Sequence, residues 1–128
     1  IVDKRRMSPD KTEVMHILGE VGGKNVVLVD DILATASSII EGVTALKANG
    51  ARSIYAAVSH GVLSGPAKQR IRDCQDLKEV VITNTIPLAD AGNNPKIKQL
   101  SVAPLLAEAI ARTHNGESIT SLFEEVRN

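Results

Sequence analysis

Two adjacent carboxylates, Asp30 and Asp31, close an apolar run, and after Ile32-Leu33 comes a loop of small and hydroxyl residues, Ala34-Thr35-Ala36-Ser37-Ser38. Carboxylates accept hydrogen bonds from vicinal sugar hydroxyls. A loop that feeds a helix N-terminus offers backbone N–H groups and hydroxyls to a phosphate. Side by side, the two suit a sugar phosphate. The plainer alternative is a buried strand, a solvated acidic turn and a hydroxyl helix cap, which is common at any helix start.

These residues need a scaffold. Val26-Val27-Leu28-Val29 reads as a strand buried on both faces in the middle of a parallel sheet. Its carboxyl end is where open α/β sheets bind ligands. Ile39, Val43 and Leu46 then fall at helical spacing, with Ile40 widening the stripe. Ser37 or Ser38 is the expected N-cap, and Gly50 after Asn49 the expected left-handed end. A second strand over 53–58 completes a right-handed βαβ unit. Further strands are expected over 79–83 and 98–102. Ser64-Gly65-Pro66 opens a helix running to about Asp73, on which Lys68, Arg70 and Arg72 read as a solvated face. Residues 89–95 read as a loop. Pro104 starts a helix through about Arg112, striped by Leu105, Leu106, Ala109 and Ile110, and a short helix over 119–126 ends the chain. Residues 4–13, basic and polar, have little to bury and read as a mobile segment. The fold class is α/β: a parallel-sheet, three-layer, Rossmann-like domain.

Composition narrows the function. The chain has 128 residues, enough for one domain, 1–128, and too few for two. Its 15 basic and 15 acidic residues balance, so nothing favours nucleic acid or an anionic membrane. Aromatics make up only 2%, which nearly excludes binding by base stacking. They also leave the core to Val, Ile, Leu and Ala. The lone Cys74 forms no internal disulfide and fits a reducing, cytoplasmic setting. No apolar run is long enough for a bilayer.

The stretch from Val26 to Ile40 resembles the phosphoribosyl-diphosphate motif of type I phosphoribosyltransferases. Within that fold family the chain is most similar to the ribose-phosphate diphosphokinases (phosphoribosyl diphosphate synthetases). Asp3-Lys4-Arg5-Arg6 resembles their catalytic-loop signature, and Val14-Met15-His16-Ile17 follows in place. Ser59-His60-Gly61-Val62-Leu63-Ser64-Gly65, Thr83-Asn84-Thr85-Ile86-Pro87, the segment from Leu105 to Ile110, Glu117-Ser118-Ile119 and Leu122-Phe123 match in order along the whole chain.

The resemblance implies a phosphoribosyltransferase-like domain forming the C-terminal half of a two-domain enzyme, whose other half supplies most ATP and metal contacts. It implies transfer of diphosphate from ATP to ribose 5-phosphate, giving phosphoribosyl diphosphate and AMP in nucleotide biosynthesis. Lys4 and Arg6 would be catalytic. Asp30, Asp31, Ala34, Thr35, Ala36, Ser37 and Ser38 would bind ribose 5-phosphate. Ser118, Ile119, Thr120, Ser121, Leu122 and Phe123 would help bind regulatory ADP or phosphate at a subunit interface. On residue type alone, that segment is equally a terminal helix capped by Ser118. Mg²⁺ would accompany ATP, with no metal ligand assigned within this sequence. Homo-oligomers from dimer to hexamer are implied. His60 is read as a packed histidine at a strand end.

Two positions depart from the family pattern. Ala34 stands where the family has a third Asp, and Ser37-Ser38 where it has Gly-Thr. A positive φ at 37 would cost about 1–2 kcal/mol with a side chain present. A negative φ would cost little and leave an extra hydroxyl beside the phosphate. A second reading follows from the departures: a non-catalytic, synthetase-associated regulatory subunit. A salvage phosphoribosyltransferase is a third, opposed by the Asp-Lys-Arg-Arg segment.

Overall fold

The structure is a computed structural model and describes residues 2–5, 14–17, 19–88 and 94–124. Two short strands, β1 (Val2–Arg5) and β2 (Val14–Ile17), pair antiparallel, with Val2 opposite Ile17 and Arg5 opposite Val14. The expected mobile segment over 4–13 therefore begins inside a strand, and its part from Arg6 to Glu13 lies outside the described residues.

The main sheet has four parallel strands in the order β3-β4-β5-β6. They are β3 (Asn25–Leu33), β4 (Ser53–Gly61), β5 (Leu77–Thr83) and β6 (Ile97–Leu100). Helix α1 (Ser37–Ala48) links β3 to β4, and α2 (Ala67–Asp73) links β4 to β5. Helix α3 (Ala103–His114) and the single turn α4 (Ser121–Glu124) follow β6.

One core joins α1 and α2 to the sheet. Ile39, Val43 and Leu46 of α1, and Ala67 and Ile71 of α2, cluster with Ile54, Ala56, Val58, Val80 and Ile82 from the strands. The predicted α1 stripe is thus the buried one. Its C-terminus closes as expected, with Gly50 at φ 82°. There Gly50 N–H donates to Lys47 O (2.9 Å) and Ala51 N–H to Leu46 O (3.1 Å), which satisfies two carbonyls of the last turn.

The opposite face of the sheet is open among the described residues. Val29 is 81% exposed and Val27 57%, and no residue of α3 is buried. Among the described residues β3 is also an edge strand and not the expected middle one. The apolar run records that both faces of β3 suit burial, but only neighbours decide which face is covered. No helix among the described residues is long and apolar enough to cross a membrane.

Candidate functional site

Both acids lie inside β3 and not after it. Asp30 pairs with Val58 and Ile32 with His60, so the ladder carries the chain past the carboxylates to Leu33. Both are exposed at the carboxyl end of the sheet. Asp31 N–H donates to Asp30 Oδ1 at 2.9 Å, which fixes one carboxylate oxygen and leaves the other to a ligand.

Beyond Leu33 the chain turns into α1 through a loop whose sharpest residue is Ala36, at φ 64° and 3% exposed. Ala36 is the N-cap, so the expected cap by Ser37 or Ser38 is not made: the two serines are the first residues of the helix, and no side chain caps it. A left-handed Ala36 completes the turn one residue earlier than a serine cap would. Ser37 is not among the positive-φ residues, so its side chain escapes left-handed strain. Its hydroxyl lies 3.1 Å from Thr35 Oγ1 and accepts from Arg70 Nη1 at 2.7 Å.

Asp30 and residues 32–39 line a cavity of about 120 Å³. Ligand pockets usually begin at roughly 300 Å³, so this one is sized for an anionic group and not a whole nucleotide. Ala34, Thr35 and Ala36 donate no backbone hydrogen bond to any described residue. The first helical bond runs from Ile40 N–H to Ala36 O. Free N–H groups around a left-handed turn at a helix start form an anion-binding concavity. Asp30 also borders a second cavity of about 240 Å³ over the open sheet face, lined in part by Val29, Ser59, Thr83 and Leu100. One carboxylate therefore stands between an anion pocket and a larger groove.

A hydroxyl cluster continues the carboxyl edge. Thr83 Oγ1 donates to Ser59 O at 2.6 Å, and Thr85 Oγ1 lies 2.8 Å from His60 Nδ1. His60 is exposed and hydrogen-bonded, and not packed as its sequence context suggested. Asn84 Oδ1 accepts from Val102 N–H at 2.9 Å, tying the end of β5 to the start of α3.

The remaining expected residues lie elsewhere. Lys4 is in β1, opposite Met15, and Arg6 lies outside the described residues. Ser118, Ile119 and Thr120 form the turn before α4, and Ser121, Leu122 and Phe123 are in it. Ser118 Oγ accepts from Thr120 N–H at 3.2 Å, so it supports the turn and is not the helix cap expected of it. Arg112 of α3 donates to Ser118 O at 3.4 Å and to Ser121 Oγ. Sequence reading missed Arg70: placed on a solvated face, it reaches Thr35 O at 2.9 Å. The available signal was position, because α2 starts at the same sheet edge as the loop after β3.

Comparison with known proteins extends this geometry. The chain is 51% identical over 123 residues to a ribose-phosphate pyrophosphokinase of Caldanaerobacter subterraneus subsp. tengcongensis, covering 96% of this chain and 39% of that one. It is 49% identical over 123 residues to the Bacillus subtilis ribose-phosphate pyrophosphokinase, covering 96% and 38%. It thus spans about two fifths of the length of these curated relatives. A crystal structure of phosphoribosylpyrophosphate synthetase from Mycobacterium smegmatis superposes with a TM-score of 0.75 at 39% identity, over 83% of this chain and 35% of that one. The family described as phosphoribosyl synthetase-associated domain matches residues 3–124. With nearly its whole length matched, and with the parallel sheet and its carboxyl-edge loop in place, the chain belongs to the phosphoribosyl synthetase-associated domain family.

Proposed function

We propose that this chain is the ribose 5-phosphate-binding domain of a ribose-phosphate diphosphokinase, forming the C-terminal half of a two-domain enzyme. The observation that carries this is the loop of free N–H groups, Ala34 to Ala36, opening beside Asp30 at the carboxyl edge. The loop takes the 5-phosphate, and Asp30 and Asp31 accept hydrogen bonds from the ribose hydroxyls. The sugar's anomeric hydroxyl then attacks the β-phosphorus of ATP. A new P–O bond forms as the bridging bond to the α-phosphate breaks, the hydroxyl proton is lost, and AMP leaves.

Catalysis of such a transfer is positioning plus stabilisation of charge on the phosphoryl oxygens. Lys4 supplies a point charge and Arg6 a planar fork for those oxygens. Mg²⁺, entering with ATP, would supply further neutralisation. Asp30 and Asp31 fit it, because Mg²⁺ takes one or two carboxylates together with phosphate oxygens and water. No group of three or more His, Cys, Asp or Glu suited to a metal exists among the described residues. Residues Ser118 to Phe123 contribute to a site for ADP or phosphate between subunits of a cytoplasmic homo-oligomer.

Calorimetric titration of the complete protein with ribose 5-phosphate, with and without Mg²⁺, tests the reading. Micromolar-to-millimolar binding, weakened at least about tenfold in Asp30→Ala by loss of a charged acceptor, is the expected result. Absence of binding would refute it. One observation favours the second reading, a non-catalytic associated subunit: Ala34 lines the cavity where the family pattern has a third Asp. Recovery of binding only in Ala34→Asp would select it.

A further inference from the structure

Three successive carbonyls of the anion loop are held from behind. Leu33 O accepts from Leu63 N–H at 3.0 Å, and Ala34 O from Ser64 N–H at 2.9 Å. Thr35 O accepts from Arg70 Nη1 at 2.9 Å. All three donors belong to the segment from the end of β4 into α2, and none of them lines the loop's cavity. In a trans peptide the C=O and the following N–H point in opposite directions, and no peptide bond among the described residues is cis. Each captured carbonyl therefore turns one N–H the other way: Ala34, Thr35 and Ala36 in turn. All three lack an acceptor among the described residues.

The clamp carries its own strain. Leu63 has φ 50° and is 7% exposed, a left-handed conformation that costs a residue with a Cβ about 1–2 kcal/mol. Strain of this kind persists where the surroundings over-determine it. Here it aims the Leu63 N–H at the loop. Arg70 is the one side chain among the three donors. Its Nη1 serves two acceptors at once, Thr35 O and Ser37 Oγ, so the hydroxyl at position 37 extends the clamp.

We propose that Arg70 is a positioning residue of the sugar-phosphate site: it holds the Thr35–Ala36 peptide from outside the cavity so that the loop's N–H groups converge on the phosphate. This rests on the ribose 5-phosphate reading for its ligand, but the preset loop is a property of the free protein. Two measurements on the complete protein separate them. In the absence of ligand, Arg70→Met speeds amide hydrogen exchange at Leu63 and Ser64, whose N–H groups donate to the loop's carbonyls, and leaves β5 unchanged. Its KM for ribose 5-phosphate rises about tenfold, the loss expected when a charge-assisted bond that orders the loop is removed, while KM for ATP is unchanged. Arg70→Lys, which reaches one acceptor without the planar fork, recovers part of the affinity. Guanidinium ion added to Arg70→Ala restores it further.

Exchange at wild-type rate in Arg70→Met overturns the proposal, as does an equal rise in both KM values. A wild-type protein that binds no ribose 5-phosphate would refute the functional reading alone, since exchange would still decide the role of Arg70.

Discussion

Ala36 is the residue on which strand becomes helix, and it does so at φ 64° with its methyl buried. A left-handed Ala costs about 1–2 kcal/mol, which Gly would not pay. Against that, Gly adds roughly 0.4–1 kcal/mol of unfolded-chain entropy and forfeits about 0.8 kcal/mol of methyl burial. The terms offset, so Ala36→Gly is expected to leave the thermal midpoint within a few degrees of wild type. Ala36→Val adds β-branching and overpacking, which typically costs about 1–3 kcal/mol. A thermal melt of the two variants checks this, and a Val variant as stable as the Gly one would show that the turn is not held left-handed. The neighbouring Ser37 was legible only as a departure whose cost depended on φ. The answer required the backbone, which assigns the positive φ to position 36 and the Arg70 contact to the hydroxyl. Arg70 itself was illegible as part of the site, because an arginine on a short helix looks the same whether it faces water or a carbonyl from another crossover.

Among the elements, β4 shows why a short motif can be a packing requirement. Gly61 ends the strand, buried, and a Cβ built there would lie 2.7 Å from Ile82 Cδ1 and 3.1 Å from Ile82 Cγ2. Ile82 is wholly buried in β5, so its side chain can shift only against packed neighbours. Gly61→Ala is therefore expected to destabilise by about 1–3 kcal/mol through overpacking. Ile82→Val in the same protein removes the nearest methyl and should return part of it. Chemical denaturation of the single and double variants measures the coupling, and strictly additive effects would refute the contact. Strands β3 to β6 and helices α1 to α3 were legible because apolar spacing and Gly or Pro punctuation mark them. Their ends were not: β3 runs to Leu33 and β4 to Gly61 because the two pair in register through Ile32 and His60. Asp, Ser and His are weak strand formers, and only that cross-strand pairing holds them extended. The β1–β2 ladder was hidden for the same reason, each strand being four residues with a mixed pattern.

For the molecule as a whole, apolar side chains stand exposed among the described residues on the side of the sheet away from α1 and α2, and also on α3. Val27, Val29, Tyr55 and Leu100 are exposed on the strands, and Leu105, Leu106 and Ile110 on α3. Among the described residues β3 is also an edge of the sheet, and an edge strand is a template for further pairing. Exposed apolar surface of this kind marks an interaction face or an association hazard. The 128-residue chain expressed as such is therefore expected to associate with rising concentration and to bind an apolar fluorescent dye. Val29, at 81% exposure, is central to the effect. Burying a valine contributes about 1.5–3 kcal/mol, and a lysine on an edge strand opposes pairing, so Val29→Lys should raise the association midpoint at least about tenfold. Sedimentation velocity over a concentration series reads this directly. Val29→Lys leaves the helix-packed face and its core untouched, so far-ultraviolet circular dichroism should match wild type while the sedimentation coefficient falls to that of a monomer. A wild-type chain that stays monomeric and dye-free at tens of micromolar would show that this face is covered in solution.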